Sequence, residues 1–110
     1  MLMKEIYYLH AEMYKVFSNP IRLEILNLLR DKEMSVTELI KTSKLSQANI
    51  SQHLSIMKSK GIVLSKRDGK MIYYKLSNPK ILKAFDIIKE VLTERLKTDR
   101  GIIKLLENKK

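Results

Sequence analysis

The chain has no cysteine and no tryptophan in 110 residues. Without a thiol there is no disulfide, no thiolate metal site and no cysteine redox sensor. Aromatic residues make up 6% of the chain, too few for a platform on which single-stranded bases stack. Three glycines leave little room for a loop that cradles a phosphate. No nucleophile–base pairing or metal-ligand cluster accompanies them, so catalysis and a bound cofactor are not expected. No apolar run approaches membrane-spanning length, and the opening Met1-Leu-Met-Lys-Glu5 lacks a signal-peptide pattern. A cytoplasmic protein without a membrane partner is expected. Repeats, low-complexity tracts and long linkers are absent too, so residues 1–110 read as a single domain with a core of modest size.

What the chain does have is positive charge. Its formal net charge is +10. From Lys41 to Lys75 there are eight cations and a single carboxylate, Asp68, so seven of those ten charges lie in about a third of the length. Charge concentrated in this way is an electrostatic footprint for a polyanion.

The same stretch carries the most specific pattern. Ser35-Val-Thr-Glu38 has the spacing of a capping box, in which the serine caps the backbone of Glu38 and Glu38 reaches back. After Leu39-Ile40 and a tight Ser43-Lys-Leu45 connector, Ser46 can cap a second helix from Gln47 to Lys60. Gly61 can close that helix in the left-handed conformation. Two short helices about so short a turn predict a helix-turn-helix over 35–60, with the second helix reading a DNA major groove. On a helical wheel Ile50, Leu54 and Met57 fall on one narrow side. Gln47, Ala48, Ser51, Gln52, Ser55 and Ser59 lie on the opposite side, with Lys58 at its edge. A merely solvated face in a basic protein would carry Lys and Glu in i, i+4 pairs. Amide, hydroxyl and methyl groups instead suit base edges: glutamine pairs with adenine, serine with several bases, alanine with the thymine methyl. The bland alternative is a polar surface helix in a small bundle. His53 falls beside Met57 and Ile50, where packing is favoured over a phosphate contact.

Residues 61–76 follow as two β-prone runs about Asp68-Gly69, the strongest short hairpin signal, since both central turn residues need positive φ. Lys66, Arg67 and Lys70 crowd its tip. Such a wing would clamp phosphates, together with Lys44, Ser55 and Lys58, or enter the minor groove.

The flanking segments read as helices. Ile6, Leu9, Met13 and Val16 form a stripe over 3–17. Asn19-Pro20 marks the next helix start, with Ile21, Ile25, Leu28 and Leu29 on its buried side, and Asn78-Pro79 repeats that signal. The helix expected over 79–99 carries Ile81, Phe85, Ile88, Leu92 and Leu96 on one side and Ala84, Ile87 and Val91 on another. That apolar arc exceeds the needs of a small domain. A symmetric homodimer would hide the surplus, with Ile6, Leu9, Met13, Phe85, Ile88, Leu92 and Leu96 at the interface. The tail 102–110 reads as a last amphipathic turn or a frayed end.

The segment from Phe17 to Leu29 (FSNPIRLEILNLL) resembles the DPTRLRILxLL signature of ArsR-family repressors. Leu45 to Leu54 resembles that family's recognition helix, and Gly69 to Leu76 its wing return strand. The match runs in order over about Tyr14 to Leu96. It implies a homodimeric winged-helix transcriptional regulator, mainly α with a small β-hairpin, dimerising through its first and last long helices and often released from DNA by an effector. The family's base-contacting positions fall on Ser46, Gln47, Ala48, Ser51 and Gln52. Its metal sites do not carry over. The thiolate motif ELCVCDL corresponds to Glu33 to Leu39, with Ser35 and Thr37 where the cysteines stand, and hydroxyls are poor ligands for soft or borderline metals. The last-helix site falls on Asp86, Ile88, Asp99 and Ile102, two of them aliphatic. No metal is therefore expected at either place. An effector, small molecule or protein, would fit an apolar site near Tyr7, Tyr14 and Phe85 better. The competing readings are a winged helix serving as a protein-interaction module or subunit of a larger complex, and a binder of structured RNA. The first of these usually lacks the uncharged reading face and cationic wing tip, and the second wants shape readout of a shallow groove.

Overall fold

A computed structural model describes residues 3–98 and 100–108, with the side chains of 100–103 excluded. Asp99, the side chain of Ile102 and the Lys109-Lys110 end therefore lie outside the described residues. The order of elements is α1 (Met3–Val16), α2 (Pro20–Leu28), β1 (Met34–Ser35), α3 (Val36–Ser43), α4 (Gln47–Ser59), β2 (Val63–Asp68), β3 (Met71–Leu76), α5 (Lys80–Thr98) and α6 (Arg100–Glu107). The chain forms two compact units, Met1–Pro79 and Lys80–Lys110.

In the first unit, each helix boundary has a local chemical cause. Asn19 caps α2, its Oδ1 accepting from the backbone N–H of Ile21 at 2.9 Å and of Arg22 at 3.2 Å, and Pro20 takes a first-turn position that needs no donor. At α3 the capping box is reciprocal: the Glu38 N–H donates to Ser35 Oγ at 3.1 Å, and the Ser35 N–H donates to Glu38 Oε1 at 3.2 Å. Lys44 ends α3 in the left-handed region at φ 62°, its N–H donating to the Ile40 carbonyl at 2.8 Å. Leu45 and Ser46 are then all that separates this residue from α4. The C-terminus of α4 closes as a Schellman motif: Ile62 N–H reaches the Met57 carbonyl at 2.9 Å and Gly61 N–H the Lys58 carbonyl at 3.0 Å. Gly61, at φ 73°, supplies the conformation this closure needs.

Val16, Ile25, Leu26, Leu29, Met34, Leu39, Ile50, Leu54, Met57, Ile62 and Val63 are the buried apolar side chains of this unit. The α4 stripe of Ile50, Leu54 and Met57 is fully enclosed, each burial contributing about 1.5–3 kcal/mol.

The sheet departs from expectation in two ways. It has three antiparallel strands in the order β1-β3-β2, not two. Met34 and Ser35 pair with Tyr74 and Tyr73 of the return strand, so the serine that caps α3 also closes the sheet edge. A two-residue strand carries no periodicity, which is why sequence pattern does not show it. The hairpin turn is also displaced by one residue. Asp68 pairs with Met71, leaving Gly69-Lys70 as the connection. Gly69 has φ 64° and Asp68 is not in the positive-φ region. A glycine at the first of two central positions is the pattern of a type II′ turn rather than the Asp-Gly type I′ expected. Lys70 therefore stands at the apex, and Asp68 belongs to the strand.

In the second unit, the described residues are helical through Thr98 and again over 100–107, where the sequence predicts only an amphipathic turn or a frayed end.

Candidate nucleic-acid interface

The candidate reading surface is the outward side of α4. Ile50, His53, Leu54 and Met57 turn inward, and Gln47, Ala48, Ser51, Gln52, Ser55 and Lys58 are exposed. No carboxylate lies on this helix, so nothing on it repels a phosphate backbone. Ser46 is exposed as well, and its Oγ accepts the Asn49 N–H at 3.1 Å. This leaves its hydroxyl proton and one lone pair free for a further partner. Such capping holds the first turn of α4, and with it Gln47 and Ala48, in a set geometry.

Lys44 is exposed in the turn before α4, and Lys66, Arg67 and Lys70 are exposed on the wing. The register separates them. Ser65 faces Tyr74 and Arg67 faces Ile72, on the side of the ribbon that carries buried Val63. Lys66 faces Tyr73 on the other side. Its Nζ lies 3.2 Å from Glu33 Oε1, an exposed ion pair worth little in stability but enough to neutralise part of its charge. Lys66 thus points away from Arg67 and toward the loop before β1. A shallow depression of about 480 Å³ there is lined by Leu29, Asp31, Lys32, Glu33, Lys66, Lys75, Leu76 and Pro79.

His53 is buried, as the wheel suggests, and has a specific polar partner. Arg22 Nε donates to His53 Nδ1 at 3.2 Å, and Arg22 Nη1 donates to the Val16 carbonyl at 3.1 Å. Burial, and after it the Arg22 charge, hold the imidazole below its ordinary pKa. Arg22 and Glu33 are the two residues near this surface that sequence reasoning missed. Their partners stand 31 and 33 positions away, and no local period connects them.

The residues expected at a dimer interface are spread over both units. On α1, Leu9 is 55% and Met13 48% exposed, with Ile6 half-buried; on α5, Ile88 and Leu92 are exposed, and Phe85 and Leu96 half-buried. Tyr7, Tyr8 and Tyr14 on α1 and Ile87 and Val91 on α5 are exposed as well. Among the described residues no group of three or more histidine, aspartate or glutamate side chains is placed to hold a metal ion, and no helix is long and apolar enough to cross a membrane.

Residues 19–65 match the family of bacterial regulatory proteins described as the arsR family. An HTH-type transcriptional regulator of Mycobacterium tuberculosis is 34% identical over 96 residues, covering 86% of this chain and 83% of that protein. Its crystal structure superposes with a TM-score of 0.76 over 84% of this chain and 94% of that one. The transcriptional repressor PagR of Bacillus anthracis is 42% identical over 72 residues, 64% of this chain and 72% of that protein. A homodimeric winged helix-turn-helix DNA-binding domain from Mycobacterium bovis, solved by NMR, is 26% identical, with a TM-score of 0.74 over 90% of this chain and 94% of that one. The chain belongs to the arsR family: it is a winged helix-turn-helix transcriptional regulator that binds DNA.

Proposed function

We propose that this regulator is a cytoplasmic homodimeric repressor whose two units act as one DNA-binding domain on an inverted-repeat operator. The observation that carries the reading is the outward side of α4. It is polar, free of carboxylates and locked at both ends, by Ser46 and by the Gly61 closure. In this reading α4 enters the major groove with Ser46, Gln47, Ala48, Ser51 and Gln52 on base edges. Lys44, Ser55, Lys58, Arg67 and Lys70 meet phosphates, and Lys66 does so only by giving up Glu33. The stripes of α1 and α5 supply the dimer contact, because exposed apolar side chains in such number are costly in water. A two-fold axis then sets the two α4 helices about 34 Å apart, one turn of duplex.

The test is selection of duplexes from a random library, followed by gel shifts on the selected DNA, a scrambled DNA and an RNA duplex of equal length. An inverted repeat bound by a dimer, with weaker binding to the other two, is expected. Equal affinity for all three, or a monomer at tens of micromolar in sedimentation (roughly the range in which an obligate contact persists), would overturn the reading. A protein-interaction module would bind none of them.

A further inference from the structure

Arg22 ties together the end of α1, the first turn of α2 and the middle of α4. Its two hydrogen bonds, to the Val16 carbonyl and to His53 Nδ1, come from one planar guanidinium, so the orientation of one constrains the other. His53 is 8% exposed and follows Gln52 directly on α4. Because Nδ1 accepts a hydrogen bond, the neutral ring carries its proton on Nε2. Protonation would set an N–H on Nδ1 against the Arg22 N–H, two donors and two positive charges facing each other.

The surroundings offer no relief. On α1, Glu12 is paired with Lys15 at 2.9 Å; on α2, Arg22 faces the ring and Glu24 is exposed. On α3, Glu38 is held in the capping box and Lys41 is exposed. On β2, Lys66 pairs with Glu33, and Arg67 and Asp68 are exposed; on α4 itself Lys58 is exposed. Apart from its burial, the influence on the imidazole among these is the Arg22 charge.

We propose that Arg22 is a positioning residue for DNA reading: through neutral His53 it sets the roll of α4 relative to α1, and protonation of His53 lowers discrimination between operator and random DNA. The lever is geometric. A 10° roll, taken as an illustrative angle of roughly that size, moves an amide 5–6 Å from the helix axis by about 1 Å, which breaks a paired hydrogen-bond contact. The added positive charge strengthens phosphate attraction on any sequence. Affinity for random DNA therefore holds or rises in acid while affinity for the operator falls, and the ratio of the two is the diagnostic quantity. This inference rests on the proposal that Gln47 to Gln52 read bases.

The experiment takes a duplex selected by the wild-type protein at about pH 7.5 and measures its affinity relative to a scrambled duplex by fluorescence anisotropy, down to about pH 5.5. The wild-type ratio is expected to fall about tenfold, the value of one paired base contact. His53→Asn keeps an acceptor for Arg22 without a titrating ring, so its ratio should match the wild type at the upper pH and stay flat. Arg22→Met keeps an apolar stem but no donors, and its ratio should be low throughout while circular dichroism stays unchanged. A long-range 15N–1H spectrum of wild-type protein should show the Nε2–H tautomer of His53, lost over the same pH range as the ratio. That measurement stands even if a variant misfolds. A flat wild-type ratio, a His53→Asn ratio as acid-sensitive as the wild type, or the opposite tautomer would overturn the inference and leave the DNA reading intact. A wild-type protein that selects no duplex at all would overturn both.

Discussion

Lys66 and Arg67 are adjacent in sequence but leave the wing on opposite faces, and the charge of Lys66 is already met by Glu33 at 3.2 Å. Arg67 has no counter-ion among the described residues. Each phosphate neutralised by a cation adds about 0.9 to the slope of log K against log salt. Arg67→Ala should therefore make that slope shallower by about one unit on operator and random DNA alike. Lys66→Ala should change it by less than half as much, because that cation has first to leave its carboxylate. Glu33→Gln should steepen the slope. Equal slopes for the two cation variants would show that the Lys66–Glu33 pair does not persist on DNA.

Gln47 and Gln52 test the reading face itself. Replacing either by alanine should cost about 1–3 kcal/mol on the selected duplex and far less on scrambled DNA. Both side chains are exposed, so the melting temperature should hardly move. Equal weakening on both duplexes would move the base contacts to other residues.

Ser35 is a stability test independent of DNA. It is fully buried, caps α3, and lies in β1. Ser35→Ala should lower stability by about 1–2 kcal/mol, as loss of a cap does. Glu38→Gln keeps a side-chain acceptor for the Ser35 N–H and should cost less. Urea unfolding monitored by circular dichroism measures both, and an Ser35→Ala protein as stable as wild type would deny the box its role.

The depressed pKa of His53 has a second, thermodynamic consequence. In the unfolded chain the ring titrates near 6.5, and in the folded protein below that value. The folded state thus binds fewer protons in this range, and the contribution to stability is complete above about pH 6.5. It is lost as pH falls from there through the folded-state pKa. His53→Asn should remove this segment of the stability–pH curve while leaving the fall at lower pH that carboxylates cause. Parallel curves for the two proteins would contradict the assignment.

Zinc, cadmium, copper and arsenite should each leave the protein–operator complex intact. A sensor for such ions needs a full set of thiolate, imidazole or carboxylate donors. Here Ser35 and Thr37 stand at the thiolate positions and Ile88 at one of the last-helix positions. The remaining way to build a site would join His10 to Glu5, Glu12 or Asp86 across a dimer. Release of DNA at micromolar metal, abolished by His10→Ala, would show that this route exists.

Helix-turn-helix architecture, capping and the direction of the α4 stripe were legible in the sequence because each is local. A serine and a glutamate three residues apart satisfy each other's backbone, a glycine after a helix takes positive φ, and apolar residues at helical spacing share a face whatever surrounds them. Tertiary structure decided the rest. It placed Met34-Ser35 beside Tyr73-Tyr74, moved the hairpin turn to Gly69-Lys70, sent Lys66 to Glu33 and brought Arg22 to His53. Strand register depends on which pairings bury the most apolar surface, and a slip of one residue reverses every side chain on the strand. Salt bridges and hydrogen bonds between residues some thirty positions apart form only after that burial has brought the backbone together, so no window along the chain contains them.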